Sequence, residues 1–223
     1  MNNRPIRAVI FDVGGVLVRT HDQSGREFWE KRLGLSPGQA EAIVLNSEMG
    51  HRAQRGELTD EALWDWVGHH LQLGDALPAF RDDFWRGDKV DLSLVELIRQ
   101  LRRNYQTAII SNATDALLAT LDRYRLRTEF DVIVGSAYEG VMKPNPAIYH
   151  AALGRLGRAP EETVFIDDAP ANVAGARSLG MNAILFAPSL SLARELAMMA
   201  VDVGEVRADP IRPVAGPPTS DHR

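Results

Sequence analysis

Ala8-Val9-Ile10-Phe11-Asp12-Val13-Gly14-Gly15-Val16 decides how the rest of this chain is read. An apolar run of strand length ends on a carboxylate, and a pair of glycines follows at once. Continuous apolar runs mark strands buried on both faces of a sheet. A carboxylate at the carboxyl end of such a strand, just before a glycine turn, is where open α/β sheets place their chemistry. Asp12 therefore reads as a nucleophile or a metal ligand.

Working outward, the same pattern recurs at Thr107 to Ser111, Phe130 to Val134, Thr163 to Ile166 and Ala183 to Phe186. Helix-length segments lie between the later runs, at Thr114 to Tyr124, Pro146 to Leu156 and Ala171 to Leu179. Such alternation predicts an α/β fold with a Rossmann-like parallel-sheet core covered on both faces. From about Arg19 to Arg86 only helical periodicity is legible, which predicts an inserted α-helical cap at residues 19–86. The core then comprises residues 1–18 and 87–203. Ser36-Pro37 reads as an N-cap followed by proline at the first helical position, and Thr59-Asp60-Glu61 as another helix start. All four tryptophans, Trp29, Trp64, Trp66 and Trp85, fall in the insertion, and core packing is the expected role for Trp64 and Trp85. Residues 204–223 carry four of the twelve prolines and little periodicity, so a disordered tail is expected there.

Bulk composition narrows the function. The chain has 223 residues, 45% hydrophobic and 25% charged, enough for one sizeable core with an insertion. A net charge of −5 offers no basic surface for nucleic acid or an anionic membrane. Cysteine is absent, which excludes disulfides, thiolate metal sites and a cysteine nucleophile. No apolar stretch has transmembrane or signal-peptide length, so a cytoplasmic protein is the expectation.

Four segments place polar groups at strand ends: Asp12 with Gly14 and Gly15, Ser111-Asn112, Lys143-Pro144-Asn145-Pro146, and Asp167-Asp168 with Asn172. Singly, each has a plain explanation as a strand terminator, a turn, a helix cap or a solvated loop lysine. In a parallel sheet, however, strand ends far apart in sequence converge on one crevice. Gathered carboxylates call for a cation such as Mg²⁺ with its preference for oxygen ligands. A lysine, a serine and helix N-termini around the same point suit a phosphate. Together they predict metal-assisted phosphoryl chemistry.

In this order the segments resemble the four motifs of the haloacid dehalogenase superfamily of hydrolases: FDVGGVL the first, IISNATD the second, KPNPAIY the third and FIDDAPANVAGARSLGM the fourth. The likeness covers roughly residues 5 to 200, with residues 19–86 in the place of that superfamily's small helical cap. It implies that Asp12 is the nucleophile, forming an aspartyl phosphate, and also a Mg²⁺ ligand. It further implies that the Gly14 carbonyl and Asp168 ligate the metal, with Asp167 in the outer shell. Ser111, Asn112, Lys143 and Gly15 would receive the substrate phosphate, and Lys143 would also neutralise charge on Asp12. Asn172 stands where many members carry another acid.

One element of the resemblance is altered. In the superfamily's phosphatases an aspartate two residues after the nucleophile serves as general acid and base, and this chain has Gly14 there. Losing a positioned acid–base forfeits about 10²–10⁴-fold in rate. The expectation is a phosphatase of small phosphorylated metabolites, sugar phosphates among them, that favours good leaving groups or borrows a group such as His21 or Asp22. Two alternatives are a 2-haloacid dehalogenase, whose halide needs no acid, and a phospho-ligand or partner-binding module without turnover. The acid pair Asp167-Asp168 speaks against the first, and the retained nucleophile against the second. Epoxide hydrolysis is not expected, because no G-x-S-x-G elbow is present. A receiver domain is excluded because its acid pair would follow the first strand. In the insertion His51, Arg52 and Arg55 could meet a substrate, although solvated positions are the simpler reading.

Overall fold

The computed structural model describes residues 4–204, and the tail expected beyond Gly204 lies outside them. Strand β1 (Ala8–Phe11) leads into a short strand, β2 (Val18–Thr20). Five helices follow: α1 (Ser24–Leu33), α2 (Gln39–Leu45), α3 (Glu48–Gln54), α4 (Asp60–His70) and α5 (Leu77–Arg86). The chain returns through β3 (Asp88–Val90) to α6 (Leu92–Leu101) and β4 (Gln106–Ser111). It continues with α7 (Leu117–Arg123), β5 (Val132–Gly135), α8 (Ser136–Glu139) and α9 (Pro146–Leu156). Strand β6 (Thr163–Asp167), α10 (Pro170–Ser178), β7 (Asn182–Leu185) and α11 (Leu192–Met198) complete it.

The main sheet has five strands in the order β5-β4-β1-β6-β7, and every pairing is parallel. Alternation along β1 explains why the sheet is covered on both sides. Val9 and Phe11 pack in one apolar layer with α6, α7 and α11, while Ala8 and Ile10 pack in a second with α9 and α10. The insertion has its own core, in which Trp29, Trp64, Phe80 and Phe84 are buried and Trp66 and Trp85 pack against them. Among the described residues no helix is long and apolar enough to cross a membrane.

Several expectations about local structure change. The stretch from Arg19 does contain strand: β2 pairs antiparallel with β3, placing Arg19 opposite Lys89 and Thr20 opposite Asp88. Its few, mainly polar residues offer no alternation to read, and its partner lies across the whole insertion. Ser36-Pro37 does not cap a helix. Ser36 N–H instead donates to the Gln39 side chain at 2.8 Å, and α2 starts at Gln39 behind Gly38 at φ 80°. Thr59 does cap α4, its hydroxyl accepting from Ala62 N–H at 3.1 Å. Helix α7 begins at Leu117 rather than Thr114, because Thr114 and Asp115 bond to the insertion instead.

Candidate active site

Strand order reverses about β1, so the ends of β1, β4 and β6 open onto one crevice. Asp12 follows β1, Ser111 ends β4, and Asp167 ends β6 with Asp168 next to it. Lys143 arrives from the loop between α8 and α9. It is only 4% exposed, and its ammonium has three acceptors: Asp12 Oδ1 at 2.8 Å, Asp167 Oδ2 at 2.7 Å and the Ile110 carbonyl at 3.0 Å. An ammonium has three N–H bonds, so this set saturates it.

Each carboxylate is held differently. Asp12 Oδ1 accepts from Lys143 and from Val13 N–H at 2.7 Å, whereas Oδ2 enters neither bond. Asp167 is fully buried and encircled. Besides Lys143 it accepts from Ala169 N–H at 2.8 Å and from the Asn172 amide at 3.0 and 3.1 Å. Tyr149 in turn donates its hydroxyl to the Asn172 carbonyl at 2.9 Å. Asp168 is exposed and leans over Gly15. A Cβ on Gly15 would lie 2.0 Å from Asp168 Oδ2, and φ at Gly15 is +74°, so this position requires glycine.

Burial dominates the electrostatics. It pushes the Asp12 carboxyl up to about 6, with Lys143 pulling down and the charge on Asp167 pushing further up. Asp168, although open to solvent on one side, is raised too, first by partial desolvation of its carboxyl against the site and then by Asp167. Oxygen atoms of Asp12, Asp167 and Asp168 all lie within 4.8 Å of one another. One lysine does not balance three gathered carboxylates, and an all-oxygen donor set of this kind matches a hard divalent cation. Because Asp167 is surrounded by donors, Asp12 and Asp168 are the carboxylates left open to such an ion.

The structure therefore brings Asp12, Lys143, Asp167 and Asp168 into one cluster, with Ser111 buried at the adjacent strand end. Asn112 lies beside them, but its side chain grips the backbone of Lys143. The phosphate contact expected of Gly15 has no free donor, since its N–H is committed to the Val18 carbonyl at 3.0 Å. Gly14 leaves open space: among the described residues nothing lies within 4 Å of a Cβ built there. Asp22 is engaged at the start of α1, accepting from Ser24 N–H at 2.9 Å, and His21 is exposed. Arg52 and Arg55 pair with Glu57 at 3.1 and 2.6 Å, as the solvated reading anticipates. The cradle around Asp167 was missed at the sequence level except for the position of Asn172 in the first turn of α10. Tyr149 left no local signal at all.

A family model for haloacid dehalogenase-like hydrolases matches residues 6–180. The sesquiterpene phosphatase astK of Aspergillus oryzae is 27% identical over 200 residues, covering 86% of this chain and 96% of the fungal protein. Acyl-CoA dehydrogenase family member 10 of Mus musculus is 30% identical over 195 residues, 81% of this chain but 18% of the mouse protein. Among solved structures, a haloacid dehalogenase family enzyme of Bacteroides thetaiotaomicron in complex with magnesium and inorganic phosphate superposes with a TM-score of 0.70 at 20% identity. That match covers 85% of this chain and 98% of that one. Taken with the parallel sheet and the acidic cluster at its edge, the match over residues 6–180 places this chain among the haloacid dehalogenase-like hydrolases.

Proposed function

We propose that this hydrolase is a Mg²⁺-dependent phosphatase of small phosphorylated metabolites, sugar phosphates included, working through an aspartyl phosphate on Asp12. The observation that carries the reading is the asymmetric hold on Asp12, with Oδ1 bound by Lys143 and Val13 N–H and Oδ2 outside both bonds. An oriented carboxylate with one oxygen available is what attack on phosphorus needs.

In the first step Asp12 attacks phosphorus, the bond to the leaving oxygen breaks with its electron pair, and that oxyanion takes its proton from solvent because Gly14 offers none. In the second, water attacks the same phosphorus and gives up a proton to solvent, the Asp12–phosphorus bond breaks with its pair returning to the carboxylate, and inorganic phosphate departs. Lys143 keeps Asp12 ionised and offsets charge on the incoming phosphate. Ser111 and the Asn112 backbone N–H would receive phosphoryl oxygens. Asp12, Asp168 and the Gly14 carbonyl would hold Mg²⁺, with Asp167 behind them. The ion would supply charge screening between two anions. Residues 19–86 act as a cap over the crevice.

The test is hydrolysis of p-nitrophenyl phosphate and of a panel of sugar phosphates with Mg²⁺. Activity should vanish with chelator and in Asp12→Asn. Chelator-insensitive turnover, or full activity in that variant, would overturn the mechanism. Halide release from a haloacid in the presence of chelator would favour a dehalogenase instead.

A further inference from the structure

Lys143 is useful to the site only if its ammonium stays between Asp12 and Asp167, yet it sits on a loop and carries a long flexible stem. The geometry shows what restrains it. The Asn112 side chain pairs with the peptide of Lys143 in both directions: Lys143 N–H donates to Asn112 Oδ1 at 2.7 Å, and Asn112 Nδ2 donates to the Lys143 carbonyl at 3.1 Å. Two residues earlier, the Ile110 carbonyl accepts from Lys143 Nζ at 3.0 Å. The end of β4 thus grips both ends of the lysine, its backbone through Asn112 and its head through Ile110.

We propose that Asn112 is a positioning residue, whose side chain serves the reaction by holding Lys143 in register with Asp12. The inference rests on the phosphatase reading above. It assigns the Asn112 side chain to Lys143 and leaves only the backbone N–H of Asn112 for the phosphate. Side-chain amides that pair with a peptide group in this way copy one rung of a β-ladder. Here the rung joins two segments whose nearest covalent path runs through β5 and α8. Without it the backbone of the loop at Lys143 loses its tether to β4 and only the head of the lysine is still held there, by Ile110. Misplacement of a catalytic group by about 1 Å costs on the order of 10²-fold in rate.

A double-mutant cycle with p-nitrophenyl phosphate and Mg²⁺ tests this. Asn112→Ala should lower kcat/KM by about 10²-fold, with most of the loss in kcat. Lys143→Arg keeps the buried charge but changes its reach. On that background Asn112→Ala should cost no more than about twofold further, because the residue it positions is already displaced. An undiminished 10²-fold loss on the Lys143→Arg background would show that Asn112 acts independently of Lys143 and overturn the proposal. So would Asn112→Ala with wild-type kcat/KM. Lys143→Arg with wild-type kcat/KM would instead sink the phosphatase mechanism itself. Asn112→Leu, which has similar volume and makes neither bond, completes the same cycle if the alanine variant does not fold.

Discussion

Asp12 is a costly residue to bury, and the cost depends on pH. Its carboxyl titrates near 6 in the folded chain against an ordinary 3.8, chiefly because burial disfavours the charged form. Between those values the folded state keeps a proton that the unfolded state has released, so this group's contribution to stability falls as pH rises through the window. Asp12→Asn removes the titration. The melting temperature of the metal-free variant should therefore gain on the wild type between about pH 4 and about pH 7, and a constant difference across that range would contradict the assignment. Two residues on, Gly14 lies outside the left-handed backbone region, with nothing within 4 Å of a Cβ built on it. Gly14→Asp should consequently fold. If the missing acid–base is what limits the reaction, it should raise kcat most for phosphate esters with poor leaving groups, by at least about 10-fold. A folded variant with equal effects on every ester would refute that. Neighbouring glycines thus have opposite tolerances, since Gly15 is pressed against Asp168 and Gly14 is not. The identity of both residues was plain in the sequence, but their surroundings were not, because a tertiary approach decides each one.

The first turn of α4 is where the insertion meets the β4 side of the crevice. Helix N-termini expose unpaired N–H groups and a partial positive charge. Thr59 satisfies one of these groups locally, and Asp115 from the loop after β4 accepts from Asp60 N–H at 2.8 Å. The Asp60 carboxylate accepts in return from the Thr114 hydroxyl at 2.9 Å and from Arg81 at 2.6 Å. Gly56 touches α8 as well, so closely that a Cβ would fall 2.2 Å from the Ala137 carbonyl. Thr114→Val removes one bond while nearly preserving shape. It should lower stability by about 1 kcal/mol in urea unfolding and speed amide exchange at residues 60–63, leaving β1 unchanged. Unchanged exchange at those residues would mean that the contact carries no stability. The start of α4 could be read from Thr59-Asp60-Glu61 because a cap is a local device. The tie to Thr114 could not, and the misplaced start of α7 has the same origin, in two polar residues that face another element.

At the scale of the molecule, β1 is paired with strands that follow it at great sequence distance: Ala8 lies opposite both Gln106 and Thr163. The crevice exists only when β6 is paired beside β1, so the cluster of Asp12, Lys143 and Asp167 depends on long-range parallel pairing, which is slow to form because loop closure precedes its reward. Convergence of the four segments was nevertheless legible, because carboxyl ends of parallel strands share one edge whatever lies between them. The resemblance already implied a division of roles, Asp168 toward a metal and Asp167 behind it; what could not be read was the packing that encircles Asp167 and leaves Asp168 open. That packing depends on Asn172, Ala169 and the head of Lys143 meeting at one carboxylate. The β2–β3 pair shows the same separation from the opposite side. Thr20 and Asp88 face each other across two antiparallel strands, as the flanks of a hairpin do. Replacing residues 21–87 with Asn-Gly should close that hairpin with a two-residue turn and leave the five-stranded sheet intact. The shortened chain should unfold cooperatively and retain the circular dichroism of the α/β core; a molten product would show that the sheet needs the insertion. The insertion is in this sense a cassette: its covalent joints are two adjacent strand ends and its other ties to the core run through Asp60 and Gly56, so a shortened chain that folds would mean that helices of another shape can be exchanged there without moving Asp12.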